Sequence, residues 1–260
     1  MYLLFTDETN LTPDLQAKFF VYGGLFFPVE RLIAIDMGIA KIRDEYGYRP
    51  SDPLKFDTRS RPDHVSFDNS TKAKEEVIQL CIKQECKFIA YVALHAIIKN
   101  AKQYQIIHNG ANHVIGRFNK YLHDNNDFGI CVVDRLSSSD EYKYLVEKFC
   151  LGLDFLDSPS VVLDRVKLFT SSCNNASHAS SAMDIVLGSF RYCINQPKNI
   201  DAAKKMMLNI VKMIWHTRVG ENIHAMDKGL IFRPKEIQVP QYKAEYKTLL
   251  DHINALIAEE

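Results

Sequence analysis

The chain has 260 residues, of which 47% are hydrophobic and 25% are charged, a composition typical of globular proteins and not of disordered ones. One hydrophobic core can serve a chain of this length, so we expect a single domain over residues 1–260. The formal net charge is zero, which excludes an overall positive field that draws a protein onto nucleic acid. A nucleic-acid ligand would therefore need a local basic surface.

The start of the chain and its apolar runs carry no export or membrane signal. MYLLFTDETN has no basic segment and reaches an acid at Asp7, unlike a secretory signal peptide. No apolar run approaches the roughly 18 residues that a membrane helix needs. The 6 cysteines include no CxxC pair, so we expect reduced core cysteines and not disulfides or a zinc site. These features predict a cytoplasmic protein without a membrane segment.

Strand-like and helix-like segments alternate along the chain. The apolar, aromatic runs 2–7 and 19–28 predict a β-hairpin, and exposed aromatics in the second run would serve a homodimer. Helical spacing predicts a helix at 29–46. The proline-containing stretch 47–70 predicts a long loop or irregular insertion, followed by a helix that Ser70 or Thr71 caps. Further strands are predicted at 86–98, 129–136 and 164–172, and further helices at 109–123, 140–157 and 177–195.

The order of these elements defines the expected fold class. Hairpin strands followed by alternating helices and strands imply an α/β protein with a mixed sheet flanked by helices. Residues 1–195 would form its core. Residues from Ile200 onward are mainly helical in pattern, with an interruption near 229–240, so we expect a helical C-terminal extension over 196–260.

Two acids end apolar strands of this sheet. Alternate side chains of a strand share a face, so Asp7 lies on the same face as Phe5, and Asp134 on the same face as Val132. If the strands are parallel neighbours, about 4.8 Å apart, the two carboxylates face each other at the C-terminal ends, where open α/β sheets bind ligands. Such anions repel unless a cation lies between them, and oxygen-only ligands suit Mg²⁺ or Mn²⁺ better than zinc.

A third acid interrupts the apolar helix at 177–195. Asp184 forms one stripe of that helix with Ser177, Ser181, Gly188 and Arg191. A buried charge there needs a partner, so Asp184 is expected to complete the metal site, with Gly188 letting the helix approach the sheet closely. The alternative is that each Asp merely ends a strand or faces solvent, as most acids do.

Several short motifs resemble those of one known family. YLLFTDETN followed by FFVYGGLFF resembles the DES-G opening and the aromatic Gly-Gly strand of a large prokaryotic family known as a domain of unknown function (DUF3800). ICVVDR is similar to its internal strand ending in Asp, SSAMDIVLGSFRY to its late Q-x-A-D-x-x-x-G-x-x-R helix, and DPLKFD to its E-L-K segment. The resemblance runs from residue 2 to about 195, and the order of the motifs is its most specific feature.

The resemblance implies a ribonuclease-H-like fold, metal-dependent nuclease activity, and association with mobile elements or phage defence. Asp7, Glu8, Lys55, Asp134 and Asp184 occupy its motif positions.

The sequence departs from the family pattern in three places. Thr9 and Asn10 replace Ser-Gly, Asp52 stands near the place of the motif Glu, and Ser181 stands where the helix usually carries Gln. The absence of the family's polar groups at these positions would alter substrate choice or mark a decayed site.

The leading hypothesis is hydrolysis of phosphodiester bonds in DNA or RNA by one or two metal ions. Asp7, Asp134 and Asp184 would hold the metal, which activates water and stabilises the leaving oxygen. Glu8 alternates to the opposite face of a regular strand, so we expect it as a ligand only if the strand bends there.

Four polar side chains are candidate contacts to the substrate. Lys55, which we also place among the catalytic residues, would neutralise a phosphate or a transition-state charge; the alternative is an exposed loop lysine. His178 would position substrate or shuttle protons; the alternative is a structural histidine at a helix start. Ser181 and Arg191 share the stripe of Asp184.

Two hypotheses from other classes remain open. A catalytically silent module of the same fold would bind nucleic acid or a partner protein, in keeping with the neutral charge and the motif departures. A structural or interaction protein would act through its C-terminal third, although a run of lysines is usually only the solvated face of a helix. The basic residues concentrated there are Lys198, Lys204, Lys205, Lys212 and Arg218.

Overall fold

The computed structural model describes residues 1–9, 11–12, 17–134, 140–155, 158–173, 176–195, 199–220 and 222–257. The strands are β1 (Tyr2–Thr9), β2 (Phe19–Pro28), β3 (Lys87–Leu94), β4 (Gly129–Asp134), β5 (Leu153–Phe155), β6 (Ser158–Val161), β7 (Val166–Ser172), β8 (Thr217–Val219), β9 (Asn222–His224) and β10 (Leu230–Arg233). The helices are α1 (Leu32–Glu45), α2 (Phe67–Lys83), α3 (His95–Ile98), α4 (Gln103–Asp124), α5 (Asp140–Leu151), α6 (His178–Ile194), α7 (Ile200–Ile210) and α8 (Pro240–Ile257).

A six-stranded mixed sheet forms the centre of the protein, with strand order β10-β3-β2-β1-β4-β7. β1 and β2 pair antiparallel, as do β2 and β3, whereas β4 pairs parallel to β1, β7 to β4 and β10 to β3. The predicted hairpin and the predicted parallel neighbours are therefore both confirmed. The expected α/β class, a mixed sheet flanked by helices, is confirmed as well.

Each face of the sheet is covered by its own set of helices. Helices α1, α2, α6, α7 and α8 bury one face, and α4 with α5 buries the other. The central strand β2 is buried almost end to end because it is packed on both faces. A Cβ at Gly23 would lie 2.7 Å from Leu187 of α6, and a Cβ at Gly24 would lie 2.7 Å from Val114 of α4. The glycine pair therefore lets a helix approach β2 closely on each side.

Two sequence expectations about surface and cysteines are wrong in part. The aromatic side chains of β2 are buried in the core, so they form no dimer surface. Four cysteines are buried as expected, but Cys150 and Cys173 are exposed; all six are free thiols.

None of the described helices combines the length and the apolar character that a membrane span needs.

The C-terminal region contains strands as well as the expected helices. The interruption near 229–240 contains β10, which pairs with β3 and completes one edge of the sheet. Four residues are too short to show a strand pattern by themselves, and their extended conformation depends on pairing with β3. β8 and β9 form a separate two-stranded sheet.

Two helix boundaries also differ from expectation. The helix predicted at 140–157 ends at Leu151 because Gly152 adopts φ +87°, and a Cβ there would lie 2.3 Å from the Val161 carbonyl oxygen. The chain then turns into β5. Helix α2 begins before Ser70: Ser66 caps it, accepting a hydrogen bond from the Asn69 N–H at 3.1 Å.

Candidate metal centre

Three parallel strands bring polar side chains to one edge of the sheet. The register between β1 and β4 ends with Thr6 beside Val133, so Asp7 follows next to Asp134. Asp134 in turn pairs with Ser172 at the end of β7. From β1 the chain continues to β2 on one side, and from β4 it leads to β7 on the other side. The position between β1 and β4 is therefore a topological switch point, where open α/β sheets form a ligand crevice. The predicted convergence of the two acids is confirmed.

Glu8 joins this pair. Asp7, Glu8 and Asp134 each present a carboxylate oxygen, and these oxygens lie within 4.8 Å of one another. β1 stays in regular register with β2 through Thr9, so the expectation that Glu8 needs a bend in the strand is wrong. We call these three residues the carboxylate cluster.

Asp184 lies beside the carboxylate cluster but is not one of its three members. Helix α6 packs on β1, and the Asp184 carboxylate helps to raise the pKa of Asp7. Its Oδ2 accepts a hydrogen bond from the Phe56 N–H at 2.7 Å. One oxygen of Asp184 thus anchors the 47–66 loop next to the cluster.

Burial and mutual repulsion make the cluster unfavourable as free anions. Burial raises the pKa of Asp7 well above its usual value, and the carboxylates of Asp134, Glu8 and Asp184 raise it further. Burial and then Asp134 raise the pKa of Glu8 to about 7. Among the described residues, no lysine or arginine nitrogen lies within 4.0 Å of the Asp7 or Glu8 carboxylates. The protein itself therefore leaves at least these two acids without a close cationic partner.

The cationic residues of the site lie around Asp184 instead. Burial raises the pKa of Asp184, whereas the Phe56 hydrogen bond, Lys55 and Arg191 lower it. Arg191 lies over the Phe56 ring, 5.8 Å from its centroid, and Lys74 lies over the same ring at 5.8 Å. Lys74 also donates a hydrogen bond to the Phe56 carbonyl at 2.9 Å; its position on α2 gave no signal of this role in the sequence.

Gly188 has a different role from the one expected. A Cβ at this position would lie 2.4 Å from Cβ and Cγ of Phe56. The glycine therefore makes room for the loop that carries Phe56, not for the sheet.

The two remaining candidate substrate contacts, Ser181 and His178, are not among the described residues that line a small cleft at this edge. The residues that line the cleft are Phe5, Thr6, Asp7, Val132, Asp134, Ser172, Ser180 and Met183. The side chain of Ser181 is buried, with only 5% exposed, so a substrate does not reach it. One residue earlier, Ser180 lines the cleft together with Ser172, and their hydroxyl oxygens lie 3.4 Å apart. His178 is half-buried at the first position of α6, after the cap Ser177, and it is not among the residues that line the cleft in the described part of the chain.

The predicted basic surface on the C-terminal third is only partly available. Lys205 forms an ion pair with Glu75 at 2.8 Å, and Lys212 donates to the Asn209 side chain at 3.2 Å. Lys198 lies outside the described residues. This part of α7 therefore resembles an ordinary solvated helix face.

The pKa of Glu8 predicts how stability depends on pH. A carboxyl group whose pKa is raised by folding holds its proton more tightly in the folded state, so its stabilising contribution is lost as the pH rises through the folded value. For Glu8 that window lies between its ordinary value of 4.5 and about 7. In EDTA, we expect the thermal midpoint to fall across this window; with Mg²⁺ or Mn²⁺ bound by the anions, the fall is expected to disappear. Glu8→Gln should flatten the EDTA curve, and an EDTA midpoint that rises across the window would contradict the expectation.

No family model matches the chain, and no curated protein matches it either. The chemistry of the sheet edge, where the three carboxylates of Asp7, Glu8 and Asp134 meet beside Asp184, is therefore what points to a function.

Proposed function

We propose that the protein is a ribonuclease-H-like, metal-dependent nuclease that hydrolyses phosphodiester bonds in DNA or RNA. The observation that carries the proposal is the meeting of Asp7, Glu8 and Asp134 within 4.8 Å at the C-terminal edge of parallel strands. Membership of the DUF3800 family, with its association with mobile elements or phage defence, is part of the same proposal.

The donor set fits Mg²⁺ or Mn²⁺. All three groups of the carboxylate cluster are oxygen donors, the ligand type that these hard cations prefer. The raised pKa values of Asp7 and Glu8 record an excess of negative charge that a divalent cation would neutralise. A zinc site, by contrast, would be expected to include His or Cys ligands.

Each charged side chain at and around the carboxylate cluster has a defined task in this proposal. Asp7, Glu8 and Asp134 hold the metal, which supplies an activated water and stabilises the leaving oxygen when it is bound. Asp184 fixes the loop through Phe56, and Lys55 and Arg191 add positive charge beside it, where a substrate phosphate is attracted. The sheet order supports the fold assignment, because the hairpin extended by β3 and followed by parallel β4 and β7 is a mixed sheet of the expected kind.

The second candidate is a catalytically silent module that binds nucleic acid or a partner protein. Ser181 favours it, because this residue stands at the motif position of Gln and its side chain is buried. The two candidates differ in metal affinity: a silent module has no more affinity for Mg²⁺ than a generic acidic surface.

The test combines cleavage and calorimetry on the purified protein. Single- and double-stranded DNA and RNA are incubated with Mg²⁺, Mn²⁺ or EDTA, and we expect products only with a divalent ion. Titration calorimetry is expected to show saturable binding of Mn²⁺ that strengthens as the pH rises above about 7, where Glu8 is ionised. Saturable binding without cleavage of any of the four substrates would contradict the nuclease proposal, and the absence of saturable binding would favour the silent module.

A further inference from the structure

A second charged cluster lies at the end of β10, away from the carboxylates. Three cationic side chains surround Asp227: Arg233 Nη1 lies 2.8 Å from its Oδ1, Lys235 Nζ 3.4 Å from its Oδ2, and Arg117 Nη2 of α4 3.5 Å from its Oδ1. We call these four residues the Asp227 cluster. The turn that presents Asp227 is tight, since its N–H donates to the Leu230 carbonyl at 2.7 Å and its φ is +56°.

The Asp227 cluster carries more positive than negative charge. Among the residues that the structure describes, Asp227 is the only carboxylate within 4.0 Å of any of the three cationic groups. Three cations and one anion leave two positive charges. His113 stands beside them, and burial together with Arg233 and Arg117 lowers its pKa to about 3. Its imidazole is thus neutral at neutral pH because it is buried and the site is already rich in positive charge.

The two arginines also have unused hydrogen-bond donors. A guanidinium offers five N–H donors. In the described part of the chain, the ion pair at 3.5 Å is the one polar contact of Arg117, which is only 29% exposed. Arg233, 15% exposed, uses the same Nη1 for Asp227 and for the Phe232 carbonyl. Partly desolvated guanidinium groups of this kind bind tetrahedral oxyanions in a bidentate manner.

The sheet places this cluster on the same edge as the carboxylates. β10, β3, β1 and β4 run in one direction, and the registers set Leu230 level with Ala90, Gly23 and Asp7. Arg233 is three residues further along and three strands across, which corresponds to about 17 Å from strand geometry. Measured along the axis of a duplex, one strand carries a phosphate every 3.4 Å or so, so an axial distance of this length corresponds to about five phosphates.

We propose that the Asp227 cluster binds a backbone phosphate of a nucleic-acid strand that runs along the sheet edge to the carboxylate cluster. Arg117 and Lys235 supply donors from two different elements, while Asp227 holds Arg233 in place. The proposal rests on the proposed function only for the identity of the ligand as nucleic acid. It requires neither a bound metal nor cleavage.

Binding in EDTA tests this proposal separately from catalysis. The probe is a fluorescein-labelled single-stranded DNA long enough to span both clusters, and Kd is measured by anisotropy over a range of salt concentrations. The variant Arg117→Gln with Lys235→Gln leaves the Arg233–Asp227 pair intact. We expect it to weaken binding about tenfold and to reduce the slope of log K against log salt by about 0.7 for each phosphate that the variant no longer neutralises.

A matched control removes the same charge elsewhere. Arg31 and Lys72 are exposed residues on other parts of the surface, and Arg31→Gln with Lys72→Gln is expected to change Kd by less than about twofold. Asp227→Asn removes the one anion of the cluster but keeps a side-chain oxygen that accepts from Arg233, so it is expected to tighten binding, an effect that misfolding would not produce. Equal Kd and salt slope in the Arg117/Lys235 variant and the control would overturn the proposal. The proposal would also be overturned if the Arg117/Lys235 variant bound DNA as before and lost only its thermal stabilisation by inorganic phosphate. The site would then bind a small phosphate and not a strand.

Discussion

Asp7→Asn combined with Asp134→Asn is expected to abolish metal-dependent cleavage and, at the same time, to raise the stability of the metal-free protein. Loss of one preorganised charge-stabilising group typically costs about 10²- to 10³-fold in rate, so loss of two metal ligands should cost about a thousandfold or more. The same change removes two repelling, partly buried anions. Because burial and the neighbouring carboxylates raise the pKa of Asp7 in the folded protein, its ionised form costs stability at neutral pH, and we expect the free energy of unfolding in EDTA to increase.

A loss of cleavage together with a gain in stability distinguishes a metal site from a site that stabilises the fold. Cleavage is followed by gel electrophoresis, and unfolding by denaturant titration with and without Mn²⁺. Asp36→Asn, an exposed acid on α1, is the control and should leave both quantities unchanged. Full cleavage by the double variant would end the nuclease proposal. A less stable double variant in EDTA would show that the acids stabilise the fold directly.

Gly188→Ala is expected to destabilise the protein and to detach the loop that carries Phe56. The new Cβ would fall 2.4 Å from the Phe56 side chain, and overpacking of this kind costs about 1–3 kcal/mol. Movement of Phe56 would also break the hydrogen bond from its N–H to Asp184. Trypsin should then cut faster after Lys55 and Arg59 in the released loop.

Gly116→Ala provides the matched comparison. This glycine lies inside α4, and its Cβ would meet only the ends of two side chains, Leu153 at 3.2 Å and Phe155 at 3.7 Å. Alanine raises helix propensity by up to about 1 kcal/mol over glycine, so this variant should be as stable as the natural protein or more stable. Equal midpoints and equal trypsin cleavage rates for the two variants would contradict the role assigned to Gly188.

The central part of the fold could be predicted because it depends on local pattern. Asp7 and Asp134 each end an apolar run, and alternation along a strand fixes the face on which each acid lies. Parallel neighbours then bring the two acids together without further information. The β1–β2 hairpin was predictable for the same reason, from two aromatic runs.

The rest of the site depends on contacts between distant segments. Strand alternation correctly put Glu8 on the opposite face, but it does not show that its carboxylate meets the other two of the cluster. Helical spacing did not distinguish Ser180 from Ser181, because both lie about one turn from Asp184, and only the packing of the helix decides that Ser180 lines the cleft while Ser181 is buried. The contact of Phe56 with Gly188 joins segments that lie far apart in the chain, and no local pattern encodes it.

Because β10 pairs with β3, the chain cannot be shortened to residues 1–195 without exposing the edge of the sheet. A fragment that stopped at residue 195 would leave β3 as a bare outer strand, with a row of peptide groups open to intermolecular pairing. It would also lose Met207, Ile210 and Leu249, which belong to the apolar interior under α6. The C-terminal third is thus part of the folded core. A fragment without it is expected to aggregate instead of retaining the cleft.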